Sequence, residues 1–272
     1  MTMKRKEESR IYHTDPALNK SRLFKLSISP QWFKYCEEHP EEDSDSLIFG
    51  RAFHKYVLEP KDFNKEFAVI PIFDKRTKIG KKLYEDFLLD NQGKEIITED
   101  QYLTIIGMQE SIMRNKYARA LLKPGEIETS YYWTDDVTGI ECKVRPDCLR
   151  EFEEKILVTD LKSTNSAKTD DFRKDCVKFG YDLQAAMYKL AVEKETGKQV
   201  DFVFIVVEKK PPYMVNILQA DNLFLERGLS LFREYIGIYK ECLDSGDWYG
   251  YNGFSGEINN LALPSYLLKE FI

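Results

Sequence analysis

The stretch VDFVFIVVEK, residues 200–209, is apolar at nearly every position. A strand with no polar face to offer water has to be covered on both sides, so this run belongs at the centre of a sheet flanked by helices. Upstream of it, Tyr181 to Glu195 carries apolar residues at helical spacing and is closed by Gly197, a residue that accepts the left-handed backbone of a helix end. Before that helix stands another apolar strand, ILVTDLKS. Strand, helix, strand in that order predicts two parallel strands joined by a right-handed crossover. The fold class that follows is α/β, with α+β character from the flanking segments.

From Glu126 the texture is period-two. IETSYYW, a turn at Asp135 to Gly139, IECKVRPDCLR, charged EFEEK and ILVTDLKS predict an antiparallel meander. Beyond the buried strand, Pro211-Pro212 predicts a turn, YMVNILQA an edge strand, and Asn222 to Ser245 a long helix packed on the sheet. The first 125 residues read as mainly helical. SRLFKLSISPQWFKYC suits short helices broken near Pro30, and EEHPEEDSDS reads as a solvated loop. LIFGRAFHKYVLEP puts Phe53, Tyr56 and Val57 on one helical face that ends before Pro60, with His54 on the same helix. Thr98 to Leu122 predicts one long helix opened by a capping-box-like T-E-D-Q. The chain therefore reads as a helical lobe, residues 1–125, and a sheet-centred core, residues 126–272, together one compact domain.

Composition removes several function classes. With 40 Lys+Arg against 46 Asp+Glu the formal charge is −6, so a nucleic-acid site has to be a focused basic cleft rather than a general basic surface. The five cysteines, Cys36, Cys142, Cys148, Cys176 and Cys242, form no C-x-x-C pair. That argues against a disulfide framework, a zinc ribbon or an iron–sulfur cluster, and for a reduced, cytoplasmic protein. The charged start MTMKRKEESR lacks the apolar core of a secretion signal, and no run approaches a membrane span.

The chemistry concentrates in Asp147, Asp160 and Lys162. Asp147 closes R-P-D, and Asp160-Leu161-Lys162 lies near the end of a strand. On neighbouring strands the two carboxylates converge at one end of the sheet, while Asp160 and Lys162 share a face and Leu161 points into the core. Carboxylates brought together repel unless a hard cation sits between them, so the pair calls for Mg²⁺ or Mn²⁺. Such a cation lowers the pKa of a bound water and neutralises a phosphodiester oxygen, and Lys162 beside it would orient the nucleophile or stabilise the transition state. That is hydrolytic nuclease chemistry. Read alone, D-x-K is more often the solvated end of a strand. Its context gives it weight: a following helix carries Tyr181, Gln184 and Tyr188 along one stripe.

Other residues read two ways. Glu128, in E-T-S on the preceding strand, is a further acid of the site or an exposed strand glutamate. His54, read by itself, is a packing histidine, and His13 and His39 lie in polar segments and look structural or exposed. Lys75, Arg76, Thr77, Lys78, Lys81 and Lys82 form a basic loop and helix start, either a contact for a phosphate backbone or a charged exposed loop. Tyr181 is a further candidate DNA contact. Lys168, Arg173, Lys174 and Lys178 border the same region but alternate with Asp170, Asp171 and Asp175, and Tyr131, Tyr132 and Trp133 read as sheet packing.

Taken in order, SRLFKLSISPQWF, GRAFHKYVLEP, RTKIG, ETSYYW, TGIECKVRPD, DLKS and YDLQAAMY span most of the chain. The series resembles the RecE-like exonucleases, the family of the C-terminal nuclease of exonuclease VIII, within the PD-(D/E)XK nuclease superfamily. The resemblance implies a restriction-endonuclease-like core, a central mixed sheet flanked by helices, with an N-terminal helical lobe. It implies His54 as a metal ligand from that lobe, Asp147 and Asp160 as metal carboxylates, the Leu161 carbonyl as a backbone ligand, and Lys162 as the catalytic lysine. Gln184 and Tyr188 would match the Q-x-x-x-Y motif of the RecB-type branch. The implied activity is Mg²⁺- or Mn²⁺-dependent 5′→3′ digestion of linear double-stranded DNA, leaving 3′ overhangs for phage-type recombination. The implied partners are duplex ends, a RecT-like single-strand annealing protein, and further copies of the chain in a ring, a tetramer by resemblance. A structure-selective endonuclease on the same fold and a catalytically inactive DNA-end-binding module are the alternatives.

Overall fold

The computed structural model describes residues 2–263 apart from residues 8, 41 and 124. The chain opens with strand β1 (Thr2–Arg5) and helices α1 (Ser9–Thr14) and α2 (Lys20–Leu23), the last continuing through a 3₁₀ turn (Phe24–Ser27) towards α3 (Pro30–Glu38). The predicted break near Pro30 is a helix start. Ser29 caps α3 by accepting from the Trp32 N–H, and Pro30 takes the first helical position, where its missing N–H costs nothing. Helix α4 (Asp45–Leu58) is capped by Ser44 and ends before Pro60 as expected, burying Phe49, Ala52, Phe53 and Val57.

Next come α5 (Phe63–Glu66), β2 (Phe67–Ile70), α6 (Lys78–Asp90), β3 (Glu95–Thr98), α7 (Glu99–Arg114) and α8 (Lys116–Leu121). The capping box of Thr98 and Gln101 opens α7. The single helix expected over Thr98 to Leu122 is in fact two. Asn115 leaves helical geometry, and its side chain accepts from the N–H groups of Tyr117 and Ala118 to start α8. The sequence also hid a small parallel pair, β2 with β3.

The remaining elements are β4 (Glu126–Ile127), β5 (Ser130–Thr134), β6 (Glu141–Val144), β7 (Cys148–Glu151), β8 (Lys155–Thr164), α9 (Thr169–Phe179), α10 (Tyr181–Thr196), β9 (Gln199–Glu208), β10 (Val215–Gln219) and α11 (Asn222–Ser245). The central sheet has the order β10-β9-β8-β7-β4 and is mixed: β8 and β9 run parallel from Lys155↔Gln199 to Thr164↔Glu208, and the other neighbours are antiparallel. The expected single meander is corrected here. IECKVRPDCLR is two strands in two sheets, because Pro146 has no N–H for a ladder and the chain changes sheet across Arg145-Pro146-Asp147. β6 pairs with β5, and β5 with β1, in a separate antiparallel sheet.

Alternation along β8 explains the layering. Ile156 and Val158 join a core with Phe202 and Phe204 of β9, the inner face of α10, and Phe232 of α11. Leu161 points the opposite way, into a second core with Ile205 and Val207, Phe49 and Phe53 of α4, and Ile105 and Met108 of α7. The central strands are thus covered on both faces, as their composition requires. The two segments share packing: Leu18, Leu23, Leu26 and Phe33 belong to the first core, and β1 pairs with β5. α11 lies along α10, with Phe224 against Phe204 of β9 and Phe232 in the core it shares with that strand. Gly228 permits that approach, since a Cβ there would stand 2.0 Å from the Asp182 carbonyl oxygen. All five cysteines are free, and no helix among the described residues is long and apolar enough to cross a membrane.

Candidate active site

The register Cys148↔Thr159 sets Asp147 level with Asp160, at the point where β8 runs on past the start of β7. The exposed edge of β8 there is taken up by a side chain: Asp147 Oδ2 accepts the Leu161 N–H at 2.7 Å. A residue's N–H and C=O leave a strand on the same edge, so the Leu161 carbonyl faces this site as well. Asp160 is fully buried on the face turned towards α10. Its Oδ1 accepts from Gln184 Nε2 at 2.7 Å and its Oδ2 pairs with Lys162 Nζ. The same Gln184 amide donates to the Tyr188 hydroxyl at 3.0 Å, and Lys162 Nζ sits 4.8 Å from the centre of the Tyr181 ring. The helical stripe read from the sequence therefore has a function in this geometry: it grips both members of the D-x-K pair.

Two further groups arrive from outside the central strands. Phe53 anchors α4 in the second core, and the next residue, His54, reaches Asp147 Oδ2 with Nδ1 at 3.3 Å. Glu128 is neither on a strand nor exposed, which corrects its strand placement and removes the reading as an exposed strand glutamate. It lies between β4 and β5 with φ +48, and its N–H donates to the Asp147 carbonyl at 3.2 Å. A left-handed backbone costs a non-glycine residue on the order of 1 kcal/mol. Arg145 offsets that cost, with Nε donating to the Glu128 carbonyl at 3.2 Å and pairing with Oε2 at 2.8 Å. Arg145, of R-P-D, is thus a site residue that nothing in its spacing marks, because its partner is seventeen residues upstream.

Ligand atoms of His54, Glu128 and Asp147 all lie within 4.8 Å of one another. Asp160 stands outside that tight group, with both oxygens engaged by Gln184 and Lys162. Burial opposes every charge in the site, so the pairings decide each outcome. For Asp147, burial is outweighed by His54 together with Lys162 and the Leu161 N–H, which hold the carboxyl below its ordinary range; reciprocally, Asp147 holds the His54 imidazole above its own. Glu128 goes the other way: burial, then the charge of Asp147, pushes it up to about 7. Asp160 is pushed up to about 6 by burial in spite of Lys162. Lys162 remains charged because Asp160 and Asp147 outweigh burial.

A site in which burial, and then like charge, pushes carboxylates towards holding protons is short of a cation. One imidazole nitrogen with two carboxylates fits a divalent ion, and the nitrogen suits Mn²⁺ better than Mg²⁺. The sign of the pH effect follows. Glu128 has a raised folded pKa, so its contribution to stability is complete below the unfolded value of 4.5 and is lost as pH rises through about 7. In EDTA the wild type is therefore expected to lose stability relative to Glu128→Gln over that window, by roughly 3 kcal/mol at most. Added Mn²⁺ should raise the melting temperature more at pH 8 than at pH 5.5. Parallel melting curves for the two proteins across the window would remove Glu128 from the cluster.

The basic stretch is on the surface. Thr77 caps α6 by accepting from the Gly80 N–H, Arg76 pairs with Asp74, Lys75 lies 3.5 Å over the Tyr84 ring, and Lys78, Lys81 and Lys82 are exposed. Thr77 is thus occupied as a helix cap. Arg173 and Lys174 pair with Asp170 and Asp171 within α9. Tyr131 and Trp133 are buried packing residues. His13 and His39 line a separate cavity with Asp15, Arg22, Cys36 and Glu37.

Comparison with known proteins agrees with this architecture. Residues 29–261 match the PDDEXK-like domain of unknown function DUF3799. The crystal structure of a candidate exonuclease from Eubacterium rectale aligns over 98% of this chain and 100% of its own, with a TM-score of 0.63 at 14% identity. That of SSO0001 aligns over 71% of this chain and 85% of its own, with a TM-score of 0.32 at 12% identity. No curated protein matches the sequence.

Proposed function

The chain belongs to the family of PDDEXK-like domains of unknown function DUF3799, and on that premise we propose that it is a divalent-metal-dependent deoxyribonuclease. The observation that carries the reading is the meeting of His54, Glu128 and Asp147 within 4.8 Å, beside the buried Asp160–Lys162 pair. His54, Asp147 and Glu128 would hold the ion, with Asp160 and the Leu161 carbonyl lining the same end of the sheet. When bound, a divalent ion neutralises phosphodiester charge and makes water a better nucleophile at neutral pH. The chain's residues do the rest. Asp160 and Tyr181 hold the Lys162 ammonium in place, Gln184 fixes Asp160, and Lys162 presents positive charge to the phosphate as negative charge builds up in the transition state.

The finer reading rests on the motif series from GRAFHKYVLEP to YDLQAAMY. It is a 5′→3′ exonuclease on linear double-stranded DNA, working in the cytoplasm with a RecT-like annealing protein in phage-type recombination, as a homo-oligomeric ring of four. A ring that faces its basic residues inward would let a chain of charge −6 hold a polyanion. The test is digestion of linear duplex labelled at one 5′ or one 3′ end, beside a covalently closed circle, in Mg²⁺, Mn²⁺ and EDTA. Metal-dependent early release of the 5′ label with the circle intact is the expected result. Cleavage of the circle would replace the exonuclease with an endonuclease, and silence in both metals would leave a DNA-end-binding module.

A further inference from the structure

Lys20 begins α2 and is half-buried, with Nζ donating to the carbonyl of Phe179, the last residue of α9. It stands 5.1 Å from the Phe24 ring centre and 5.5 Å from that of Tyr181. Lys162 Nζ lies 4.8 Å from the same Tyr181 centre, so one ring serves two ammonium groups that are at most about 10 Å apart. Gly180, at φ +63 between α9 and α10, makes the arrangement possible: a Cβ there would stand 2.6 Å from the Phe24 ring.

The two lysines differ in one respect. Lys162 is matched by Asp160, whereas Lys20 has no ion-pair partner among the described residues. Burial, then the charge of Lys162, pulls its ammonium down to about 8 against a smaller opposing effect of Asp160, which leaves it a cation at neutral pH with no carboxylate in contact among the described residues. A lysine at a helix C-terminus gains from the helix dipole and from aromatic faces. Those gains do not call for a second lysine on the same ring, since like charges in a half-desolvated setting repel. The counter-charge missing from the fold is an anion, and the substrate class already inferred is a chain of anions.

We propose that Lys20 is a second phosphate-binding cation of the site, holding the backbone phosphate adjacent to the scissile one on the strand being cut, with Tyr181 spacing it from Lys162. The inference rests on the nuclease reading and extends it to a residue that no motif marks.

Binding of a duplex oligonucleotide in EDTA, over a range of salt concentrations, tests it without any need for cleavage. Lys20→Gln is expected to lower the slope of log affinity against log salt by roughly 1, the loss of one phosphate contact. Lys20→Arg should restore the slope. In cleavage, Lys20→Gln should raise KM about tenfold while kcat changes less. A single uncharged methylphosphonate next to the scissile position should weaken the wild type and leave Lys20→Gln unaffected. A lowered melting temperature with an unchanged salt slope would reduce Lys20 to a helix cap and overturn the proposal, as would additive effects of the variant and the methylphosphonate. A changed slope in a protein that binds DNA but cuts it in no metal would sustain the phosphate contact and sink the nuclease reading alone.

Discussion

Lys162→Met is expected to lower cleavage of linear duplex DNA roughly a thousandfold, the scale on which a single preorganised charge stabilises a transition state. Met keeps the apolar stem that packs over Tyr181 and deletes only the ammonium. The effect on stability is less direct. Removing one partner from a buried pair costs about 3–5 kcal/mol when the other charge is stranded. Asp160, however, is already pushed up to about 6 with Lys162 in place, so without Lys162 it takes up a proton at neutral pH and stays bound to Gln184. A carboxyl with a raised folded pKa gives its full contribution at low pH and loses it as pH rises. Lys162→Met should therefore melt close to the wild type at pH 5.5 and well below it at pH 8.5. The double variant Asp160→Asn, Lys162→Met should lack that slope and remain inactive. Activity within tenfold of wild type in pure, metal-replete Lys162→Met would end the assignment of Lys162, and a pH-independent loss of stability would contradict the protonation of Asp160.

The contrast between Asp160 and Glu128 shows which parts of the site a sequence can carry. Asp160, Leu161 and Lys162 were legible because a strand's period of two fixes their directions, and Leu161 does go into the α4 and α7 core while its neighbours face α10. Gln184 and Tyr188 were legible by the same logic at helical spacing. His54 could be placed on a helix, but its reach to Asp147 depends on how α4 docks against Leu161, Ile205 and Val207. Glu128 was misplaced because its left-handed backbone belongs to a turn that only Arg145 and Asp147 hold together. The split of the meander into two sheets turned on Pro146, and the break at Asn115 on a side-chain cap; in both cases a local hydrogen-bonding fact overrode an unbroken periodic pattern. Lys20 gave no signal, since its surroundings come from α2, α9 and α10 and are brought together by the packing against Phe24.

Asp147→Asn is expected to abolish metal-dependent cleavage, with a loss of at least about a thousandfold, and to lower the stability of the metal-free protein at neutral pH but not in acid, because the fold holds the Asp147 carboxyl below its ordinary range and so favours its charge. The asparagine carbonyl can still accept the Leu161 N–H that Asp147 accepts at 2.7 Å. What disappears is the charge that helps to push Glu128 and Asp160 upward. Relief of that repulsion favours the fold, but loss of the attraction to His54 and Lys162 opposes it and prevails, as the lowered Asp147 carboxyl shows. His54 should then fall back from its raised value, because burial is no longer outweighed. Asp147→Ala differs in a way that separates structure from chemistry: it strands the Leu161 N–H, at a cost of about 1–3 kcal/mol. Melting curves in EDTA and in Mn²⁺ should accordingly show three behaviours. The wild type is stabilised by the ion, Asp147→Asn is destabilised at neutral pH alone and indifferent to the ion, and Asp147→Ala is destabilised in acid as well and indifferent. If Asp147→Asn kept the Mn²⁺ shift, the ion would have to be held without Asp147, and the cluster of His54, Glu128 and Asp147 would be a hydrogen-bonded turn rather than a metal site.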